Sequence, residues 1–571
     1  MFECDDSFDK LRSSHGAARK CSSHDGFVQK GSTTTDASSR GCCRIPGVNM
    51  MRRLSSMFGI RFLVLVILVS HCCKGFCRAQ YSQSIRYLLQ SWMVPGPTID
   101  AWTATIEAAW SMKPLVALCS DLFPLGGFRK MPYMAIATSL GLLGLGITSL
   151  VPDGLFPPQV SVVGLFLANF GWMTSDILVE GLFARRLASD PHIGPDFVIF
   201  ISMGQQLAFL LSSVVSGQLL VHLDGAHSLT GAQWNLATCM VPSMLMLYPT
   251  LANFGGEPRV SPAEAREARR STWMHQKEVV VLSLAAGGVS LAIACGGITL
   301  DLGANVCVSV ILLVVLTSLL WASFTPVVGR LVLFLTLASV CNVSIAGPAH
   351  YFYTDKADQF PGGPNLEPWF FVTVCGFAGA IAALVALGLY SKFSKSRYRI
   401  VYLVLIVLNG LLSAPNSIVF ARLNRQWGIS DYVFVGVDTA LASAMAALLF
   451  TPGLLLLSRV CPDKLESSMF AILSSNMNLA TTVSVPLSGL VCMLFGITPD
   501  GSVNEASKFG NLWIVNLVMV GIKLLPLSCI FLLPNLRMVD QVDGVRESVT
   551  EDSPIRLLWR RYSSRTSPNS V

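Results

Sequence analysis

Long apolar runs, broken by short polar or charged turns, recur from about residue 59 to residue 533. A helix needs about 20 mostly apolar residues to cross a bilayer. The pattern predicts spans near 59–79, 101–120, 132–151, 159–182, 197–221, 234–254, 279–299, 303–323, 331–352, 369–390, 399–420, 432–457, 468–496 and 511–533. That makes fourteen helices. The first run has a second reading. "FLVLVILVS" after "MRRLSSMFGIR" also has the form of the basic and apolar regions of a signal peptide. We read it as a retained helix, because the chain beyond it keeps a family pattern described below.

Composition agrees with the spacing. Of 571 residues, 52% are hydrophobic and 13% charged, and mean hydropathy is +0.57. Soluble domains carry about 25% charged residues. The chain therefore reads as an all-α, polytopic membrane protein with the lipid bilayer as solvent. A formal charge of +7 is small for this length and gives no reason to expect a nucleic-acid partner. The 16 cysteines lie mostly within apolar runs and show no repeating metal-type spacing, so they read as small packing residues. No metal and no cofactor is expected.

Where the charge sits matters more than its sum. One set of turns holds Arg129 and Lys130, Arg185 and Arg186, the cluster from Arg259 to Lys277, Arg330, the cluster from Lys392 to Arg399, and Arg459 and Lys464. The opposite set is sparse, with Arg78, Arg86, Lys356, Arg422, Arg425 and Lys508. Basic loops stay in the cytosol, so both termini are expected there, which an even number of spans requires. The plasma membrane is the default location.

The chain divides on this reading into a disordered cytosolic tail (1–57), a first helical bundle (58–254), a basic loop (255–278), an extra helix pair (279–323), a second bundle (324–533) and a cytosolic C-terminal tail (534–571). "LCSDLFPLGGFRKMPYM" and "LYSKFSKSRYRIVYL" each end one span and begin the next. The echo suggests two pseudo-symmetric bundles of six helices. The basic loop is expected to be partly helical.

Several stretches resemble one family. "SDLFPLGGFRK" resembles the turn after the second helix of the major facilitator superfamily, without its initial Gly. "WSMKPLVALCSDLFPLGGFRKMPY", "SDILVEGLFARR", "GPAHYFYTD" and "CPDKLESSMFAILSSNMNLA" together resemble its folate–biopterin transporter branch over residues 60–533. Glu180 stands where that branch usually has Asp, and Arg185 near where an acidic residue often follows. The resemblance implies a major-facilitator-like two-bundle fold of about 12 core helices plus the extra pair. It implies a small-molecule substrate, a folate, pterin or related organic solute, moved by alternating access with proton coupling. S-adenosylmethionine is an alternative cargo.

Charges inside the spans give candidate chemistry. Lys113 lies eight residues before Asp121 and Asp176 nine before Arg185, so each sits about 12–13 Å deep at about 1.5 Å per residue. Lone charges in hydrocarbon cost at least about 2.5–3.5 kcal/mol. Lys113, Asp176 and Glu180, the last one turn from Asp176, are expected to meet. Either they attract an anionic group and carry a proton, or they form a static ion pair locking two helices. Asp438 is the corresponding charge of the second bundle. Trp110, Asn342, Tyr351, Tyr353, Asn416, Asn476 and Asn478 could offer flat faces and amide edges to a pteridine, or serve only as packing between helices. Asp121, Gly127, Arg129, Lys130 and Glu466 are expected to form a conformational gate. No Walker A loop, Gly-x-Ser-x-Gly elbow or His-Glu-x-x-His is present, so no enzyme is expected. A secondary transporter and a receptor or scaffold that kept a transporter fold are the two functional classes left.

Overall fold

The apolar runs fold as helices throughout the computed structural model, which describes residues 46–152, 154–187, 193–390, 396–460, 466–537, 553, 554 and 556. The chain divides into residues 1–49 and 50–571. In the first unit only 46–49 are described, and they are helical. The account below concerns the second unit.

In chain order its long helices are α1 (Ile60–Ser91), α2 (96–122), α3 (Met131–Leu150), α4 (Pro158–Ala184), α5 (Asp196–His222), α6 (231–251), α7 (Lys277–Thr299), α8 (Leu302–Ser323), α9 (326–354), α10 (Trp369–Tyr390), α11 (Tyr398–Phe420), α12 (Asp431–Leu457), α13 (Met469–Leu494) and α14 (Ala506–Leu532). Among the described residues, eleven are long and apolar enough to cross a membrane. The other three, α2, α6 and α9, are interrupted. In α2 a tight turn, Ala108–Met112, separates Gly96–Glu107 from Lys113–Leu122. Pro114 explains the break. It has no N–H to donate, and its ring crowds the carbonyl four residues back, at Trp110. In α9 the segment Pro326–Val340 gives way to Gly347–Thr354, which restarts with Pro348 in its first turn. The fold is the major-facilitator-like two-bundle arrangement, with α7 running along α2 and α8 along α13 and α9.

Two boundaries differ from expectation. The first span ends not near residue 79 but at Ser91, so Arg78 and Arg86 lie on α1 rather than in a loop. Arg78 can stay in the helix because Glu107 lies 3.0 Å away and the Trp110 ring lies 4.2 Å beneath its guanidinium. The expected tail 1–57 also overlaps a helix, Pro46–Phe58. Its apolar residues recur at helical spacing, with Leu54 and Phe58 buried and Phe58 stacked on Phe197. Residues 1–45, and nearly all of the C-terminal tail, lie outside the described residues.

The basic loop does contain a helix, Pro262–His275. Ser261 accepts the Glu264 N–H, and Glu264 reaches back to the Ser261 N–H. This capping box satisfies two otherwise orphan donors. Tight packing of α3 on α4 fixes α4 in place. A Cβ on Gly171 would lie 2.7 Å from the Ala137 carbonyl oxygen, so only glycine allows that approach.

Candidate functional site

The deep charges of the first bundle converge. Lys113 Nζ donates to Asp176 Oδ2 at 2.8 Å, and its distance to Glu180 Oε2 is 3.9 Å. A third helix joins them. Lys74 of α1 donates to the same Asp176 oxygen at 2.9 Å and to Glu180 Oε1 at 3.3 Å. Lys74 sits in the widened, π-helical stretch Ile67–Cys77. Such stretches re-aim side chains and recur at functional sites. Asp176 is 2% exposed, whereas Lys74 and Glu180 keep 27% and 37% of their surface. The cluster therefore has a dry floor and a wet rim. Two ammoniums balance two carboxylates, which lets four charges share the interior of a bundle.

Trp110 lies beside the cluster. It is buried, donates from Nε1 to Asn169 Oδ1 at 2.9 Å, and lies between Arg78 and Lys113, whose ammonium is 5.5 Å from its ring. This hydrogen bond joins α2 to α4.

The turn after α2 is organised by a residue the spacing did not reveal. Glu257, buried beyond α6, accepts the backbone N–H groups of Arg129 at 3.0 Å, Lys130 at 2.9 Å and Met131 at 3.3 Å. These are orphan donors at the start of α3. Lys130 Nζ pairs with Asp121 at 3.2 Å. Gly127, at φ +83°, supplies the left-handed turn that lets its carbonyl accept the Val260 N–H at 2.8 Å. Every one of these contacts lies between the turn and the end of its own bundle. Glu466 begins a helix, but its side chain lies outside the described residues. Glu257→Ala is expected to lower stability by on the order of 3 kcal/mol, because two buried donors and one half-buried donor lose a charged acceptor. Glu257→Gln should recover part of that. Thermal unfolding of the three proteins in detergent checks the ranking.

In the second bundle, Asn342, Asn416 and Asp438 line a cavity of about 310 Å³ with Asn409, Asn516 and Lys523. Asn478 lines a neighbouring cavity of about 390 Å³ that shares Asn342, Asn409 and Lys523. Lys523 donates to Ser413 Oγ at 2.7 Å. Asn476 does not join them. It is buried and donates to Thr336 Oγ1 at 2.7 Å, tying α13 to α9. Tyr353 is packed against Phe371 and Phe420.

Tyr351 belongs to a seam between the bundles, at the end opposite the basic turns. Its hydroxyl donates to the Val94 carbonyl at 2.6 Å. Beside it the Gly96 N–H donates to Pro499 O at 2.7 Å, the Gly347 N–H to buried Asp100 at 2.7 Å, and Gln90 to Asp355 at 3.1 Å. Asp355 and Glu505 are both buried there, and Lys508 lies 3.1 Å from Glu505.

A family model, the BT1 family, matches residues 74–553. The chain belongs to the BT1 family. Relatives include "Probable folate-biopterin transporter 2" of Arabidopsis thaliana, 26% identical over 78% of each chain. "Folate-biopterin transporter" of Synechocystis sp. is 25% identical over 75% of this chain and 72% of its own. "Folate transporter 1" of Plasmodium falciparum is 22% identical over 79% and 76%. Among solved structures, an auto-inhibited POT family peptide transporter superposes with a TM-score of 0.58 at 16% identity, covering 85% of this chain and 98% of that one. The nucleoside transporter NupG gives 0.51 at 13% identity, covering 83% and 98%. These structures share the fold. This BT1 member is thus an integral, multi-pass membrane protein of a transporter family.

Lys74 of the cluster was missed, as was Glu107, the partner of Arg78, although both are charges inside or next to apolar runs. Asp100 fell one residue outside the predicted second span. Lys523 was missed as well, although it is a charge within the last predicted span.

Proposed function

We propose that this BT1 member is a secondary transporter of folate, a biopterin or a related organic solute, working by alternating access with proton coupling. The observation that carries the reading is the cluster of Lys74, Lys113, Asp176 and Glu180, in which three helices share one buried carboxylate oxygen and one carboxylate stays wet. A proton taken up by the cluster would leave two ammoniums against one carboxylate. That net positive centre favours an anionic solute, and loss of the proton removes the attraction. Relatives named as folate and folate–biopterin transporters support the cargo class. The basic turns favour a cytosolic side for both termini, and the plasma membrane is the proposed location.

A second reading has an observation of its own. Two lysines on one Asp176 oxygen also make a sound static lock, as a receptor or scaffold would need. Uptake of labelled folate, biopterin and S-adenosylmethionine by transporter-deficient cells, in acidic and in alkaline medium, separates them. The transporter reading expects folate or biopterin uptake that is faster in acid. Surface-resident protein that takes up none of the three supports the scaffold.

The seam adds a pH dependence. Burial, and then the neighbouring Glu505 carboxylate, push Asp355 from 3.8 up to about 8. With the seam shut, Asp355 keeps its proton up to about pH 8; exposed by opening, it would release it near 3.8. Opening between these values therefore releases a proton, and rising pH favours it. The shut seam's advantage is complete below the lower value and lost as pH passes the upper one. Hydrogen exchange at residues 90–100, corrected for its intrinsic pH dependence, should rise from acid to alkaline medium. In Asp355→Asn it should stay flat.

A further inference from the structure

Where α1, α5, α9, α10 and α12 meet, a cavity of about 410 Å³ lies between the two bundles. Its size falls within the range of about 300–1,000 Å³ seen for small-molecule sites. The first bundle contributes Arg86, Tyr87 and Gln206, the second His350, Phe371 and Thr439. Three of these groups hold buried polar atoms without a hydrogen-bond partner: Arg86 Nε, the Tyr87 hydroxyl and His350 Nε2. His350 itself is only 4% exposed. Buried polar atoms are nearly always satisfied, and leaving them bare costs free energy. Three at one cavity wall point to a ligand that satisfies them.

The wall has a defined character. The Tyr87 and His350 rings meet edge to face at 4.6 Å, and Phe371 lies 6.1 Å from His350. Rings in this arrangement offer faces and edges to a flat heteroaromatic group. Arg86 supplies the charge. Asp100 is the acidic group that feels it, yet Arg86 makes no ion pair with it among the described residues, and Asp100 Oδ1 is taken by the Gly347 N–H. A guanidinium with donors to spare suits a carboxylate, which it can grip with two parallel hydrogen bonds.

We infer that this cavity is the binding site for a carboxylate-bearing heteroaromatic solute, with Arg86 holding the carboxylate and the Tyr87–His350–Phe371 wall holding the ring. The inference deepens the transport reading by naming its site and the group read there. It differs from the Lys74–Lys113–Asp176–Glu180 cluster, which lies toward the basic end of α1. Arg86 is twelve residues further along, about 18 Å at about 1.5 Å per residue. The protonated cluster thus attracts the anion, the cavity holds it, and α1 carries residues of both.

The test is equilibrium binding of labelled folate and of labelled biopterin, which lacks the carboxylate, to the purified full chain. Wild type, Arg86→Gln and Arg86→Lys are compared. Loss of a charge-assisted contact should weaken folate binding about ten- to a hundredfold in Arg86→Gln, with Arg86→Lys in between. Biopterin binding should change less than about twofold, which also shows that the variant is folded. Equal loss for both ligands, no loss for either, or a wild type that binds neither overturns the inference. Selective loss in Arg86→Gln from a protein that moves no solute keeps the site and removes the transport reading. Normal uptake with no folate-selective loss keeps transport and removes the site.

Discussion

Asp176→Ala is expected to abolish uptake and to destabilise the first bundle by on the order of 3–5 kcal/mol, because it leaves two buried ammoniums without their shared partner. Detergent-solubilised protein should unfold at lower temperature, and less should reach the membrane. The lysines separate a working site from a static lock. Lys74 and Lys113 both donate to Asp176 Oδ2, at 2.9 and 2.8 Å, so removing one leaves the carboxylate paired. If the cluster only ties helices together, Lys74→Gln and Lys113→Gln should each fold and keep most uptake. If it couples a proton to solute movement, each should fold and lose at least about tenfold of its acid-stimulated uptake. A simple charge exchange between Lys113 and Asp176 is a poorer test. It would set the new lysine against Lys74, a charge that the spacing of the other two did not disclose.

A valine at Gly96 or Gly347 should have an effect of similar size by a different route. The bundles touch backbone to backbone at the seam. A Cβ on Gly96 would lie 2.9 Å from the Pro348 nitrogen, and one on Gly347 would collide with the Gly96 carbonyl and come 3.1 Å from Asp100 Oδ1. Backbone cannot yield as a flexible side chain can. Gly347→Val should therefore hold the seam apart while each bundle stays intact. Uptake should fall at least about tenfold, and exchange at residues 90–100 and 347–355 should rise even in acid. A variant that exchanges and transports like wild type would show that the seam does not need to close.

How much of this could be read from the chain varied with the distance over which the cause acts. Spans were legible because lipid demands long apolar runs whatever the neighbours. The Lys113–Asp176 meeting was legible because both charges are isolated in such runs and lie at one depth. Lys74 was not, since its apolar run also suited a helix end, and only packing of α1 on α2 and α4 shows what the ammonium meets. The end of α1 was misplaced for the related reason that Arg78 looked like loop; Glu107 and Trp110 make it tolerable inside. The asparagines divided in a way no pattern forecast. Asn342, Asn416 and Asn478 face cavities, whereas Asn476 is consumed by Thr336. Glu257 and Asp355 do their work through contacts with distant backbone and side chains, which composition does not record.

Purified protein in liposomes, with folate uptake and internal acidification recorded together, tests the central claim most directly. The account predicts folate-dependent proton entry in wild type, and in Glu180→Gln, which leaves Asp176 paired with both lysines, folate exchange across the membrane without net, proton-driven accumulation. Folate accumulation with no proton movement, unchanged in Glu180→Gln, would contradict it.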